Sequence, residues 1–186
     1  MLRLPTLLAA LWLATAVCAP TSGLLAAEVW VLVDTNAETL TVMRDEQVVR
    51  VFRDIAIGRG GTARQRKRGD ETTPLGDFRV TRVDRRSPFH IFIGLDYPAS
   101  DQAEWAYRDK IIDRATYQSI RDAIQSGGVP PQNTVLGGHI GIHGLGPGDP
   151  DIHRRFNWTR GCVALTNEQI DDLAGWVSPG TLVIIR

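Results

Sequence analysis

The hydrophobic positions fall into short runs with a period of two, interrupted by glycine, proline and charged turns. Glu28 to Asp34 is a dense β-branched run and predicts a buried strand. Thr39–Arg44 and Gln47–Ile57 follow, joined by Asp45-Glu46, and predict a meander with Val48, Val49, Val51, Phe52 and Ile55 in the core. Asp77–Asp84 alternates by two and Phe89–Leu95 is apolar, so both predict strands. Asp101–Arg108 and Asp113–Gln125 have helical spacing, the second with Tyr117, Ile120 and Ile124 on one face. The run Gly127-Gly128-Val129-Pro130-Pro131 ends that helix. Val135–His143 predicts another strand. Thr166-Asn167-Glu168-Gln169 has the form of a capping box, predicting a helix to about Val177, and Thr181–Ile185 a last strand after Ser178-Pro179-Gly180. The pattern is mainly β, a β-rich α+β domain, with no repeat and no linker that divides the chain.

Two segments break the periodicity. Gly58 to Gly76 contains Arg59, Arg64, Arg66, Lys67 and Arg68 among glycines and predicts a long mobile loop. Its charges read first as a solvated surface, with a grip on an anionic substrate as the alternative. The other is the N-terminus. Arg3 precedes the apolar run Leu7–Val17, and small residues follow, as in a signal peptide. The run is shorter than the ~20 residues of a spanning helix. Residues 1–27 are therefore expected to be a cleaved export segment and 28–186 the working domain, periplasmic or otherwise exported, with the membrane engaged only through that signal. Lipidation of Cys18, which closes the apolar run, is a further option.

Lys+Arg and Asp+Glu both number 21, and residues 1–27 hold one charge, Arg3, so the rest is nearly neutral. That balance argues against nucleic acid as a partner. Composition matters most at cysteine. Cys18 and Cys162 are the two cysteines, and loss of Cys18 with the export segment leaves Cys162 unpaired in an oxidising compartment. A reactive thiol is one reason to retain it; an inert core cysteine is the plain alternative.

The surroundings of Cys162 favour reactivity. Gly137-Gly138-His139-Ile140-Gly141-Ile142-His143-Gly144 is followed, with fifteen residues between His143 and Thr159, by Thr159-Arg160-Gly161-Cys162-Val163-Ala164. A thiol is mostly protonated at neutral pH, and an imidazole can take its proton and stabilise the thiolate as an ion pair. Gly161 leaves the backbone open beside the nucleophile, and the amides of Gly161 and Cys162 are candidates to face an oxyanion. His139 lies four residues before His143, on the same face of the predicted strand. It is a candidate cleft residue, as are Thr159 and Arg160, whose guanidinium suits a carboxylate. His153, Arg154 and Arg155 fall in a 149–157 loop expected to rim the cleft. Trp158 is expected to be packing.

The His-Gly, the gap of this length and the Thr-Arg-Gly-Cys resemble the active-site signature of the L,D-transpeptidase catalytic domain (YkuD-like) family. Lys67-Arg68-Gly69-Asp70-Glu71-Thr72-Thr73-Pro74-Leu75-Gly76-Asp77-Phe78 resembles that family's Gly-Asp-x-x-Thr-Pro-x-Gly segment. Ser87-Pro88-Phe89-His90 through Asp96-Tyr97-Pro98 resembles a subgroup with a Tyr-Pro before a helix. Ala164 stands where much of the family has Arg or Asn, and Cys-Val-Ala is similar to that Tyr-Pro subgroup.

The resemblance implies a β-sandwich with a few short helices, Cys162 as the acylated nucleophile, His143 as base, the Gly144 carbonyl as its orienter, and no cofactor. The implied partners are peptidoglycan stem peptides, with a wall-attached protein as a further one. The implied reaction is a thioester on Cys162 passed to an amine in cell wall biogenesis, with hydrolysis by the same machinery as the alternative. Two other classes compete: a zinc protein using His139, His143, His153 and Cys162, and a non-catalytic wall-binding module.

Overall fold

The computed structural model describes residues 27–186; the segment expected to direct export, with Cys18, lies outside the described residues. Strands β1 (Val29–Asp34), β2 (Thr39–Arg44) and β3 (Gln47–Arg53) form the expected meander. Short β4 (Thr62–Ala63) and β5 (Thr73–Pro74) pair with each other. Then come β6 (Gly76–Ser87), β7 (His90–Leu95), helices α1 (Ser100–Arg108) and α2 (Arg114–Gln125), and β8 (Gly141–His143). Helix α3 (Pro150–Arg155), β9 (Val163–Ala164), α4 (Asn167–Trp176) and β10 (Leu182–Ile185) complete the chain.

The main sheet runs β3-β2-β1-β10-β6-β7-β8-β9. The twelve-residue β6 is its spine. Its first third pairs with β10 and the rest with β7, with register shifts at Val80/Arg82 and Asp84/Ser87 that bend it. The bend carries β7, β8 and β9 over the first five strands, so the sheet curls back on itself. Past the end of β3, Ala56 bridges to Ala164 of β9, which brings the two ends of the sheet together.

One core fills the curl. Val31, Val33, Leu40, Val42, Phe78, Val80, Ile93, Ile142, Val163, Val183 and Ile185 enter it from the strands, and Leu165, just before α4, closes it with Ile170 and Leu173 of that helix. Each buried aliphatic of this kind contributes about 1.5–3 kcal/mol over its exposed state. A smaller cluster of Ala103, Ala106, Ile112, Ile120 and Leu136 lies under α1 and α2, with Tyr117 and Ile124 packed on it. Tyr97 joins the two parts: it is buried in the main core, and its hydroxyl donates to the Leu136 carbonyl at 3.0 Å.

Four expectations change. Val48 and Val51 are exposed: Val51, opposite Thr41, alternates with buried Phe52 onto the outer face, and the register shift at Val42/Met43 puts Val48 on that face too; Phe52 and Ile55 remain in the core. The 58–76 segment is no open excursion: Thr73 N–H donates to the Gly61 carbonyl, Leu75 N–H to that of Ala63, and Arg66 is buried. The strand at 135–143 is only Gly141–His143, since Gly137 and His139 have positive φ (79° and 55°) and turn the chain before it. The 149–157 loop contains α3, with Asp149 as N-cap and Pro150 in the first turn.

The capping box at α4 is present: Thr166 Oγ1 accepts from Gln169 N–H at 3.2 Å, and Gln169 Oε1 from Thr166 N–H at 3.0 Å. This helix seals the core, so its cap bears on global stability. Thr166→Ala is expected to cost about 1 kcal/mol and lower Tm by roughly 2–4 °C. Thr166→Ser should keep most of that stability. Thermal melting of the three proteins checks this; identical midpoints for Ala and wild type would remove the cap from the account.

Candidate active site

His143 and Cys162 come together because β8 and β9 run parallel, with Ile142 opposite Val163 and His143 opposite Ala164. Cys162, the residue just before β9, therefore stands at the entrance of the strand beside the one that ends in His143. Both open into one cavity of about 690 Å³, with Phe89, Phe92, Trp158 and Arg160 also in its wall.

His143 is 3% exposed. Its Nδ1 lies 2.7 Å from the Gly144 carbonyl oxygen. A carbonyl can only accept, so Nδ1 carries the proton and donates it, leaving Nε2 unprotonated as a base. The ring is caged by aromatics: Phe89 at 4.4 Å, Trp158 edge-on at 5.7 Å and Phe92 at 6.3 Å between centroids. Burial lowers its pKa; the Gly144 hydrogen bond opposes this and His153 adds to it. Gly144 has no room for a side chain: a Cβ there would meet Asn167 Oδ1, Ile170 Cγ2 and the Phe89 carbonyl, each at 2.8 Å. The carbonyl that holds His143 is thus wedged against the start of α4.

Cys162 is half-buried and is a free thiol. Its Sγ faces the His139 carbonyl at 3.5 Å. Burial pushes the thiol up to about 11, against a Gly141 backbone hydrogen bond and the charge of Arg66. Burial therefore disfavours the charged form of each partner. Burial thus works in favour of thiol and neutral imidazole and against the ion pair expected from the residue types alone.

The remaining predicted residues separate into distinct places. The Thr159 side chain is buried and committed to the turn: Oγ1 donates to the Cys162 carbonyl at 2.6 Å and accepts from Gly161 N–H at 3.1 Å. That bond occupies the Gly161 amide, which is therefore not free to face an oxyanion. Thr159 also pairs by backbone with Gly58, while Asn157 Oδ1 accepts from Ile57 N–H at 2.8 Å. The nucleophile turn is thus fastened to the extension of β3. His139 is exposed at the cavity mouth; it is not on a strand with His143. Arg160 is exposed beside it.

His153 is buried rather than at the rim, with Trp158 Nε1–H donating to its Nδ1 at 3.2 Å. Arg154 and Arg155 are exposed on α3. Trp158 packs and also lines the cavity. Among the described residues no three His, Cys, Asp or Glu side chains are grouped to hold a metal. The proposed zinc set does not converge, because His153 is turned onto Trp158.

Arg66 is a site residue that sequence reasoning assigned to a solvated loop. It is 5% exposed, and its guanidinium carbon sits 5.5 Å from the Tyr97 ring centroid. It packs directly under Gly161, whose φ is 118°; a Cβ there would lie 2.7 Å from Arg66 Nη1 and 2.5 Å from the Thr72 carbonyl oxygen. Glycine is needed at 161 for both conformation and space. A second cavity of about 490 Å³ opens over Arg66 and shares His139 and Arg160 with the first.

The family model of the L,D-transpeptidase catalytic domain, YkuD, matches residues 28–185. No curated protein sequence matches the chain significantly. Among solved structures, the fold is similar to the helical cell shape determining protein Pgp2 of Campylobacter jejuni, as a K307A mutant (TM-score 0.56, 20% identity, 86% of this chain and 47% of that one). It is also similar to Bd1075 of Bdellovibrio bacteriovorus (TM-score 0.56, 19% identity, 86% and 48%). A third is an L,D-transpeptidase of Xylanimonas cellulosilytica (TM-score 0.50, 17% identity, 88% and 62%). The chain spans about half the length of the first two. At these identities the likeness is one of fold. With the family match over nearly all the described residues, and His143 and Cys162 brought together by adjacent parallel strands, this chain belongs to the L,D-transpeptidase catalytic domain family.

Proposed function

We propose that the chain is an exported peptidoglycan-modifying cysteine acyltransferase, an L,D-transpeptidase that carries a stem-peptide donor as a thioester on Cys162. The observation that carries this reading is the fixed tautomer of His143. With Nδ1–H held by Gly144, Nε2 is the ring nitrogen free to take the thiol proton in the cavity the two residues share. Cys162 Sγ attacks the donor carbonyl as Nε2 takes its proton. The tetrahedral oxyanion is met by backbone donors, with the Cys162 amide the nearest candidate now that Thr159 occupies that of Gly161. Collapse expels the amine, which receives the proton from His143. An amine acceptor then completes transpeptidation; water in its place gives hydrolysis.

Incubation with purified muropeptides and mass analysis of the products tests this. Shortened donors together with cross-linked products are expected. Shortened donors alone would make the chain a hydrolase, and unchanged muropeptides would remove the proposal. Cys162→Ala should abolish turnover, and His143→Gln should slow it by about 10²–10⁴-fold. A His143→Gln enzyme near the wild-type rate would show that another group activates the thiol.

The neutral resting pair sets the pH dependence. Protonating His143 removes the base, so kcat/KM falls as pH drops through its pKa. Because burial holds that pKa below the ordinary histidine value, the acid limb should lie below about pH 6.5. Iodoacetamide labelling of Cys162, followed without substrate, should keep rising past about pH 8.5, the ordinary thiol value. Labelling that saturates near neutrality would mean a resting ion pair.

Export is the remaining part of the proposal. N-terminal sequencing of protein recovered outside the cytoplasm should begin between Ala19 and Glu28, and an intact Met1 would reject cleavage.

A further inference from the structure

Trp158 stands between two histidines. Its indole meets the His143 ring at 5.7 Å and the His153 ring at 6.5 Å between centroids, edge-on at 69° in each case. Its Nε1–H donates to His153 Nδ1 at 3.2 Å. An indole nitrogen can only donate, so His153 Nδ1 is unprotonated and the proton of the neutral ring sits on Nε2. This is the opposite tautomer to that of His143, and it has a cost. His153 is buried, and its Nε2 has no hydrogen-bond partner among the described residues. With the other tautomer, Trp158 Nε1–H would face a second N–H. The fold leaves His153 Nε2–H unmet and keeps the indole held, and an unmet buried donor calls for a role. His153 is not in the wall of the cavity that Cys162 and His143 share, so it reaches the chemistry only through Trp158. On its other side is a polar cavity of about 70 Å³, lined by Glu38, Asp54, Arg154 and Arg155. Burial lowers the His153 pKa; the backbone and charge of Asp54 oppose this, and Arg154 adds to it. His143 faces it across the indole. The ring is therefore an acceptor at neutral pH.

We propose that His153 is a positioning residue for the base: it anchors the Trp158 indole, and the anchored indole limits the swing of the His143 ring. The inference rests on the acyl-transfer reading, in which His143 is that base. The Gly144 carbonyl holds Nδ1 of His143, but one hydrogen bond lets a ring pivot about it. Phe89 covers one side of the ring and Trp158 closes another, so Nε2 is presented in one direction. The backbone on either side of Trp158 is already fastened through Asn157 and Thr159. His153 adds control of where the side chain points. A protonated His153 carries hydrogen on both ring nitrogens and accepts nothing, so acid releases the indole.

The anchor is tested by NMR of the protein with isotope-labelled tryptophan, the Trp158 indole N–H being identified by its loss in Trp158→Phe. Between about pH 8 and about pH 5 that signal should move with a titration below the ordinary histidine value of about 6.5. The movement should survive in His143→Gln and vanish in His153→Asn, whose amide oxygen accepts at the Nδ1 position but does not titrate. A signal that stays still, or that follows His143, overturns the anchor. The link to the base is tested by muropeptide kinetics at neutral pH. His153→Phe keeps a ring in place without an acceptor, and should lower kcat by about 10-fold, the worth of one good hydrogen bond expressed as a rate, with little change in KM. His153→Asn should recover most of that loss. In a Trp158→Phe background, His153→Phe should cost nothing further, because the residue through which it acts is gone. Losses that add in the double variant would make His153 a structural residue only and overturn the proposal. If wild type turns over no muropeptide, the acyl-transfer reading fails by itself, and the indole titration still decides whether His153 holds Trp158.

Discussion

The pairing of Ala56 with Ala164 is the constraint on which the site depends. Ala56 N–H donates to the Ala164 carbonyl at 3.0 Å, and Ala164 N–H to that of Ala56 at 2.7 Å. These two bonds join opposite ends of an eight-stranded sheet and turn a curled layer into a nearly closed one. Both residues are alanine and fully buried, so the backbones approach without a large side chain between them. A sheet edge left open carries unpaired donors and acceptors, and here the closing bonds satisfy some of them. The consequence for chemistry is direct. β9 is held between β8 and the tail of β3, and Cys162, at its entrance, has little freedom relative to His143. The Thr159 and Asn157 contacts with Ile57, Gly58 and Arg59 extend the same fastening through the nucleophile turn.

Burial around that turn has an electrostatic effect. The aromatic cage of His143 and the burial of the Cys162 sulfur both favour neutral forms, which makes removal of the thiol proton the step that creates the nucleophile in the proposed mechanism. An exposed pair with a persistent thiolate would react with any oxidant or electrophile reaching the cavity. A neutral pair becomes reactive when a carbonyl is in place and the proton can move as the bond forms. The Gly144 carbonyl makes this possible by fixing which imidazole nitrogen is free, and the wedge of Gly144 against Asn167 and Ile170 keeps that carbonyl in position. The capped helix α4 thereby bears on the orientation of one ring, the base of the proposed mechanism.

Legibility in the sequence follows how local each determinant is. β1, β2, β7, α1, α2 and the Thr166 cap were readable because period, composition and cap chemistry lie within a few consecutive residues. The Cys–His pair was readable from residue types and spacing, although its neutral state was not, since that depends on Phe89, Phe92 and Trp158 folding over the ring. The strand expected at 135–143 failed because His139 adopts a left-handed backbone that no residue type announces; Gln132, whose side chain accepts from His139 N–H, holds it there. α3 was missed because six residues give too little periodicity, though Asp149-Pro150 is a fair start signal. Arg66 was hidden among five basic residues in a glycine-rich segment. Its burial is decided by Tyr97, Gly137 and Gly161, which are distant in sequence.

Ala164 shows how position and charge are separated here. Family resemblance places an arginine or asparagine there in many members, and in this chain the position is fully buried in the sheet closure, with no polar group to offer. The cations near Cys162 come instead from other segments: Arg160 from the nucleophile turn, Arg59 from the extension of β3, and Arg66 from the connection between β4 and β5. Arg160 and Arg59 are exposed, and water screens them. Arg66 is enclosed, so its field reaches the thiol and any bound anion with much less attenuation. A cation held by the fold beneath the glycine, rather than displayed on the nucleophile's own strand, leaves β9 free to be small and tightly paired. The sheet closure and the electrostatic asymmetry of the cleft are therefore compatible because they draw on different residues.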